Sequence, residues 1–213
     1  MEKIKIVYID DNPDPLLAQF LDEKFEVNIG VEKEYGDIIF GDSQTYVDLL
    51  SNPEVREANI ILIDSRLFEN NKASELLTGE QFKLILKKLL PFIEVVVISQ
   101  KPIEEGYTTV KKYTSEGIRN YEENKELALE YYDKNLSPIL NKLIKHILEY
   151  RKVLKNIENS KAIDQILIDR IQNSVVGSEL YDELKQEDLN QIISSFIKLE
   201  ELIVGEESNV QEE

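Results

Sequence analysis

The 213-residue chain has no cysteine. Disulfides and thiolate metal sites are therefore excluded, and a reducing, cytoplasmic setting is the expectation. It also lacks any apolar run near the roughly 18 to 20 residues that span a bilayer. No charged-then-apolar leader precedes the strand expected from Lys3. Positive charge is scarce: 25 Lys+Arg stand against 42 Asp+Glu, a formal charge of −17. No basic cluster offers a nucleic-acid surface, so a divalent cation or a basic partner suits the balance better. Histidine occurs once, at His146 within a helical pattern, with nothing around it to make it a phosphodonor. What the chain does have is 42% hydrophobic residues, enough for a globular domain with a sizeable core.

The apolar residues fall into strands and helices in alternation. Residues 3–9 (KIKIVYI) read as a buried strand, and Asn12 or Asp14 is placed to cap a helix carrying Leu16, Leu17, Phe20 and Leu21. A second strand is expected within residues 25–40, with a hairpin-like extension. Asp42 or Ser43 would cap the next helix. Residues 59–64 (NIILID) and 94–99 (EVVVIS) are fully apolar strands, with a helix from Thr78 to about Phe92 between them. Residues 104–126 are polar and partly helical in this reading, and residues 129–134 (LEYYDK) form a short last strand. Uniformly apolar strands alternating with helices predict a parallel sheet covered on both faces.

Ligands in such sheets bind beyond the carboxyl ends of the strands. The expected strand ends carry Asp10 and Asp11, then Asp64, then Ser99, then Lys134. Converging carboxylates repel unless a cation lies among them. Mg²⁺ suits two carboxylates, a carbonyl and water. With an ammonium and a hydroxyl beside it, one carboxylate becomes a phosphoryl acceptor.

This order of residues resembles the receiver domain of two-component response regulators, over about residues 3–155. The resemblance implies a flavodoxin-like, doubly wound, five-stranded parallel sheet. It matches Asp10 and Asp11 of YIDDNPD to the acidic pair, with Asp11 as the direct Mg²⁺ ligand. Asp64 of ILIDSRL matches the phosphoacceptor, and the Arg66 carbonyl the backbone metal ligand. Ser99 of VVVISQK matches the switch hydroxyl, and Lys134 of YYDKNLSP the lysine. Tyr131, three residues before that lysine, matches the aromatic switch. Thr78-Gly79 looks like the acidic-Gly pair that opens the third helix.

There are departures. The interval from Ser99 to Lys134 is stretched, the loop 69–77 is long, and Asn135 stands where a proline is usual. Lys101-Pro102 follows Ser99 too closely to end another strand. The resemblance implies a sensor histidine kinase or phosphotransfer protein as donor. A scaffold that keeps the fold without phosphorylation is the alternative. A metal-dependent phosphohydrolase is disfavoured, because Ser65 and Arg66 follow Asp64 where an Asp-x-Asp motif is needed.

From Pro138 the pattern is helical. Leu140, Leu143, Ile147, Tyr150, Leu154 and Ile157 form a heptad-like seam, with Ile139, Ile144 and Leu148 as a second row. The expected organisation is a receiver-like domain over 1–155, a helical region over 156–204, and a disordered acidic tail over 205–213. From residue 138 onward there are 9 Lys+Arg and 15 Asp+Glu. That excess of acid favours a protein-binding or dimerising output over a DNA-binding one.

Overall fold

The computed structural model describes residues 2–27, 30–69, 77–100, 109–115, 117 and 120–158. The readings made for Lys101-Pro102, for most of the loop 69–77, and for everything beyond Glu158 lie outside the described residues.

Five strands form one sheet: β1 (Lys3–Asp10), β2 (Glu32–Ile39), β3 (Ile60–Asp64), β4 (Glu94–Ser99) and β5 (Thr109–Lys111). Their order is β2-β1-β3-β4-β5, and every pairing is parallel. This is the flavodoxin-like order, in which the chain reverses direction across the sheet between β1 and β3. The three inner strands are buried along nearly their whole length, as their unbroken apolar runs require. β2 is an edge strand, mostly half-exposed. It pairs with β1 in parallel, and among the described residues no hairpin is formed there.

The helices are α1 (Pro15–Gln19), α2 (Tyr46–Ser51), α3 (Pro53–Glu57), α4 (Gly79–Leu89), α5 (Tyr121–Asn135) and α6 (Ser137–Glu158). A π-helical turn, Phe20–Lys24, continues α1. Asp14 caps α1 by accepting from the Leu16 N–H at 2.9 Å. Thr45, rather than Asp42 or Ser43, caps α2, in a reciprocal pair with Asp48. Thr78 caps α4 in the same way with Gln81.

Alternation along β1 divides the core. Ile4, Ile6 and Tyr8 face one side, where they meet Leu17, Phe20, Leu21, Tyr132, Leu136, Leu140, Ile144 and Ile147. Val7 and Ile9 take the other side. There the buried Leu49, Val55, Ile85 and Leu86 come from α2, α3 and α4, and Phe40, Phe68 and Phe82 stack edge to face.

Residues 129–134 are not a strand. They lie in α5, whose buried face steps by four through Ala128 and Tyr132 and continues at Leu136, Leu140 and Ile144. α5 ends at Asn135, shortly before Pro138, which has no N–H to donate to the preceding turn. α6 then runs under the sheet to the start of β1, where Arg151 donates to the Lys3 carbonyl at 2.9 Å. Of the expected heptad seam, Leu140 and Ile147 are buried, Leu143 is half-buried and Tyr150 is exposed. Ile144, from the second row, is the more buried neighbour.

Gly79 fixes where α4 meets β3. Its N–H donates to the Ser65 carbonyl at 2.9 Å, and a Cβ built there would lie 2.3 Å from the Asp64 carbonyl oxygen. That contact is backbone on backbone and cannot be relieved by a rotamer. Gly79→Ala is expected to lower stability by about 3 kcal/mol. A urea midpoint unchanged from wild type would contradict the close approach.

Candidate functional site

The carboxyl edge of the sheet collects buried polar groups from three adjacent strands. Asp10 ends β1, Asp64 ends β3, Ser99 ends β4, and all three are buried. Oxygens of Asp10, Asp11 and Asp64 lie within 4.8 Å of one another. Three carboxylates this close need a positive charge.

Lys112 supplies it. Its Nζ lies 2.7 Å from Asp10 Oδ2 and 2.7 Å from Asp64 Oδ1. It directly follows β5, and its N–H extends the ladder to the Ser99 carbonyl at 2.7 Å. Burial alone would push the Lys112 ammonium below its ordinary pKa. The hydrogen bonds and charges of Asp10 and Asp64 outweigh that and raise it. The stabilisation this gives is complete below the ordinary lysine value of 10.5 and is lost as pH rises through the higher folded value.

The expectation for Lys134 is corrected here. Lys134 is exposed on the last turn of α5, not at a strand end. The lysine of the site is Lys112, which the sequence reading left inside an ambiguous segment. Its signal was present: the β-branched run Thr108-Thr109-Val110 precedes it by one residue, Lys111. With Lys112 in place the stretched interval after Ser99 disappears. Tyr131 moves with Lys134. It is half-buried on α5, and its hydroxyl donates to the Lys111 carbonyl at 3.1 Å. Three residues before Lys112 stands Thr109, which is not aromatic.

The remaining carboxylate contacts fix each aspartate. Asp10 Oδ1 accepts from the Asn12 N–H at 3.0 Å, and Oδ2 accepts from the buried Tyr8 hydroxyl as well as from Lys112. Asp64 Oδ2 accepts from the Arg66 N–H at 2.7 Å. The Arg66 carbonyl accepts from the Glu69 N–H at 2.9 Å and has a second lone pair. The Ser65 hydroxyl donates to Ser99 Oγ at 2.9 Å, joining the residue after Asp64 to the end of β4.

Three carboxylates and one ammonium leave a formal excess of two negative charges. The donors are all hard oxygens, a set that fits Mg²⁺. Asp10 already takes three protein hydrogen bonds, whereas Asp64 shows two contacts for about four lone-pair sites. Direct ligation thus falls more easily to Asp64 than to Asp10.

Fold and site together define a flavodoxin-like α/β domain with a lysine-bridged acidic cluster at its carboxyl edge. No family model matches the chain, and neither does any curated protein. Among solved structures it is similar to the BeF3-activated DrrB receiver domain, at 16% identity and a TM-score of 0.36, over 70% of this chain and 99% of that one. The fold assignment rests on the strand order and pairing, not on that likeness.

Removing the ammonium should expose the repulsion it balances. In a chelator, Lys112→Met is expected to lose about 3 kcal/mol of stability, the usual result of stranding a buried charge. Mg²⁺ should restore part of that loss. Equal denaturation midpoints for wild type and variant in chelator would show that Lys112 does not carry the balance.

Proposed function

We propose that this domain is a receiver that accepts a phosphoryl group on Asp64. The observation that supports it most is the Lys112 ammonium lying 2.7 Å from both Asp10 and Asp64. It stands where an ammonium could follow charge from the carboxylate to a phosphoryl oxygen. A histidine of a partner kinase or phosphotransfer protein would be the donor. An oxygen of Asp64 attacks phosphorus, the P–N bond to the donor imidazole breaks, and its electron pair leaves with the nitrogen. The product is an acyl phosphate on Asp64.

Each residue then has a part. The Arg66 N–H holds Asp64 Oδ2 and so orients the carboxylate. Lys112 pairs with the new phosphoryl oxygens as the negative charge moves onto them. Ser99, at the end of β4, offers its hydroxyl to the same group. Mg²⁺ held by Asp11, Asp64 and the Arg66 carbonyl would neutralise phosphoryl charge during the transfer. Asp10 holds Lys112 on the side away from the acceptor. The signal would leave as altered protein contacts or dimerisation, with the acidic C-terminal region arguing against nucleic acid. Among the described residues no helix is long and apolar enough to cross a membrane. A cytoplasmic protein is part of the proposal.

One observation favours a second reading. Lys112 already joins Asp10 to Asp64, and both carboxylates have further hydrogen bonds. Such a site holds together without a cation, as a non-phosphorylated scaffold would need.

Incubation with Mg²⁺ and acetyl phosphate, followed by intact mass measurement, separates the two. Wild type is expected to gain one phosphoryl group and Asp64→Asn none. Phosphoryl gain on Asp64→Asn would remove Asp64 as acceptor. A wild type that neither gains phosphoryl nor binds Mg²⁺ would establish the scaffold.

A further inference from the structure

A closed ring of interactions links the acidic cluster to α5. Lys112 Nζ meets Asp10 Oδ2, and the Tyr8 hydroxyl donates to that same oxygen. The Tyr8 hydroxyl accepts from the Asp14 N–H at 3.3 Å. Asp14 Oδ2 accepts from the Tyr132 hydroxyl at 2.8 Å. The Tyr132 hydroxyl accepts from the Tyr113 N–H at 3.1 Å, and Tyr113 is bonded to Lys112. Each tyrosine hydroxyl thus takes one backbone N–H and gives its proton to one carboxylate.

Both tyrosine residues are fully buried. A phenylalanine at either position would fill the core without a hydroxyl to satisfy, so packing does not explain the choice. The ring instead gives Lys112 two restraints, its ammonium at Asp10 and its backbone through Tyr113 at Tyr132. The second anchor lies on α5, whose ring also packs against Phe20 at 5.7 Å. β5 has only three residues, so beyond the Lys112 N–H on the Ser99 carbonyl and its ammonium on Asp64 the sheet adds little to hold this segment.

We propose that Tyr132 is a positioning residue for Lys112, and that through it the state of the acidic cluster sets the packing of α5. When a cation bound by Asp11 and Asp64 repels the ammonium from its place beside Asp10, Asp10 Oδ2 keeps only its tyrosine partner. The Tyr8, Asp14 and Tyr132 contacts then readjust, and α5 responds. The ligand half of this statement rests on the receiver reading. The coupling half does not.

Hydrogen exchange of α5 amides, in the full chain, tests it. Mg²⁺ is expected to change exchange across Tyr121–Asn135 in wild type by about five-fold, the effect of one hydrogen bond of ordinary worth. Tyr132→Phe should still bind Mg²⁺, read by tyrosine emission, yet lose the α5 response. An α5 response that persists in Tyr132→Phe would overturn the proposal. So would a wild type that binds Mg²⁺ with α5 unchanged. A wild type that binds no Mg²⁺ would sink the receiver reading alone. The coupling is then read from Asp10→Asn, which should alter α5 exchange in the wild-type background and not beside Tyr132→Phe. No difference between those backgrounds would end the proposal. Tyr8→Phe opens the same ring from β1 and serves if Tyr132→Phe does not fold.

Discussion

The ammonium of Lys112 between Asp10 and Asp64 is the interaction on which the carboxyl edge of the sheet depends. β1 and β3 are neighbours, so their terminal carboxylates are forced together by the topology. Neither strand end carries a cation to balance them, although Tyr8 on β1 donates a hydrogen bond to Asp10. Relief comes from β5, two strands away, whose partner β4 holds it by a ladder of only three residue pairs. The lysine therefore does two things: it neutralises the cluster and it ties the short β5 end to the centre of the sheet. Burying such a group is costly, and an apolar replacement of the whole set is often the more stable choice. A buried bridge of this kind, at the edge where parallel sheets bind ligands, is better understood as serving a site than as serving stability.

The two faces of the sheet are unequal in how they are held. On one, short helices and a stack of phenylalanine rings make a largely apolar contact, rimmed by ion pairs from Lys5 to Glu54 and Glu57 and from Lys87 to Glu94. On the other, α5 and α6 run the length of the sheet. Their apolar contacts are supplemented at each end by polar ones: Tyr132 near the acidic cluster and Arg151 at the start of β1. A pair of consecutive helices fixed at its two ends can transmit a local change only if one of those ends can change. The cluster end is the one whose charge a bound cation or phosphoryl group would change under the proposed function.

Much of this was legible in the sequence, for a reason that also explains what was not. β1, β3 and β4 are buried on both faces, so they read as unbroken apolar runs, and Asp10, Asp64 and Ser99 were placed correctly at their ends. β2 and β5 are the edge strands. One face or one flank of each meets solvent, and their composition is accordingly mixed. The segment 129–134 looked like the missing strand because it holds two tyrosines and a leucine before a lysine. The spacing of four from Ala128 to Tyr132 to Leu136 is helical, and it extends into a helix already recognised from Pro138 onward. Tyr131 and Tyr132 then exchange importance. The first is half-buried beside β5, and the second is the buried one whose hydroxyl donates to Asp14 and so joins the network that leads to the site. No pattern in one dimension separates neighbours that point 100° apart on a helix until the helix itself is recognised.

The electrostatics of the cluster follow from counting its charges. Lys112 alone leaves it two charges negative, in a chain that is already strongly acidic. A divalent cation would bring the cluster to neutrality, and that is the composition in which an incoming phosphoryl anion meets least repulsion. Under the proposed function, transfer would convert a carboxylate with one charge into a group with more charge, set further out from β3. An ammonium shared equally between Asp10 and Asp64 cannot remain shared when one partner grows and moves. In that proposed state it would follow the larger charge, and Asp10 would be satisfied by its other donors. Tyr8 and the Asn12 N–H are already in place to do so. That redundancy at Asp10 is what would let Lys112 leave without stranding a buried carboxylate.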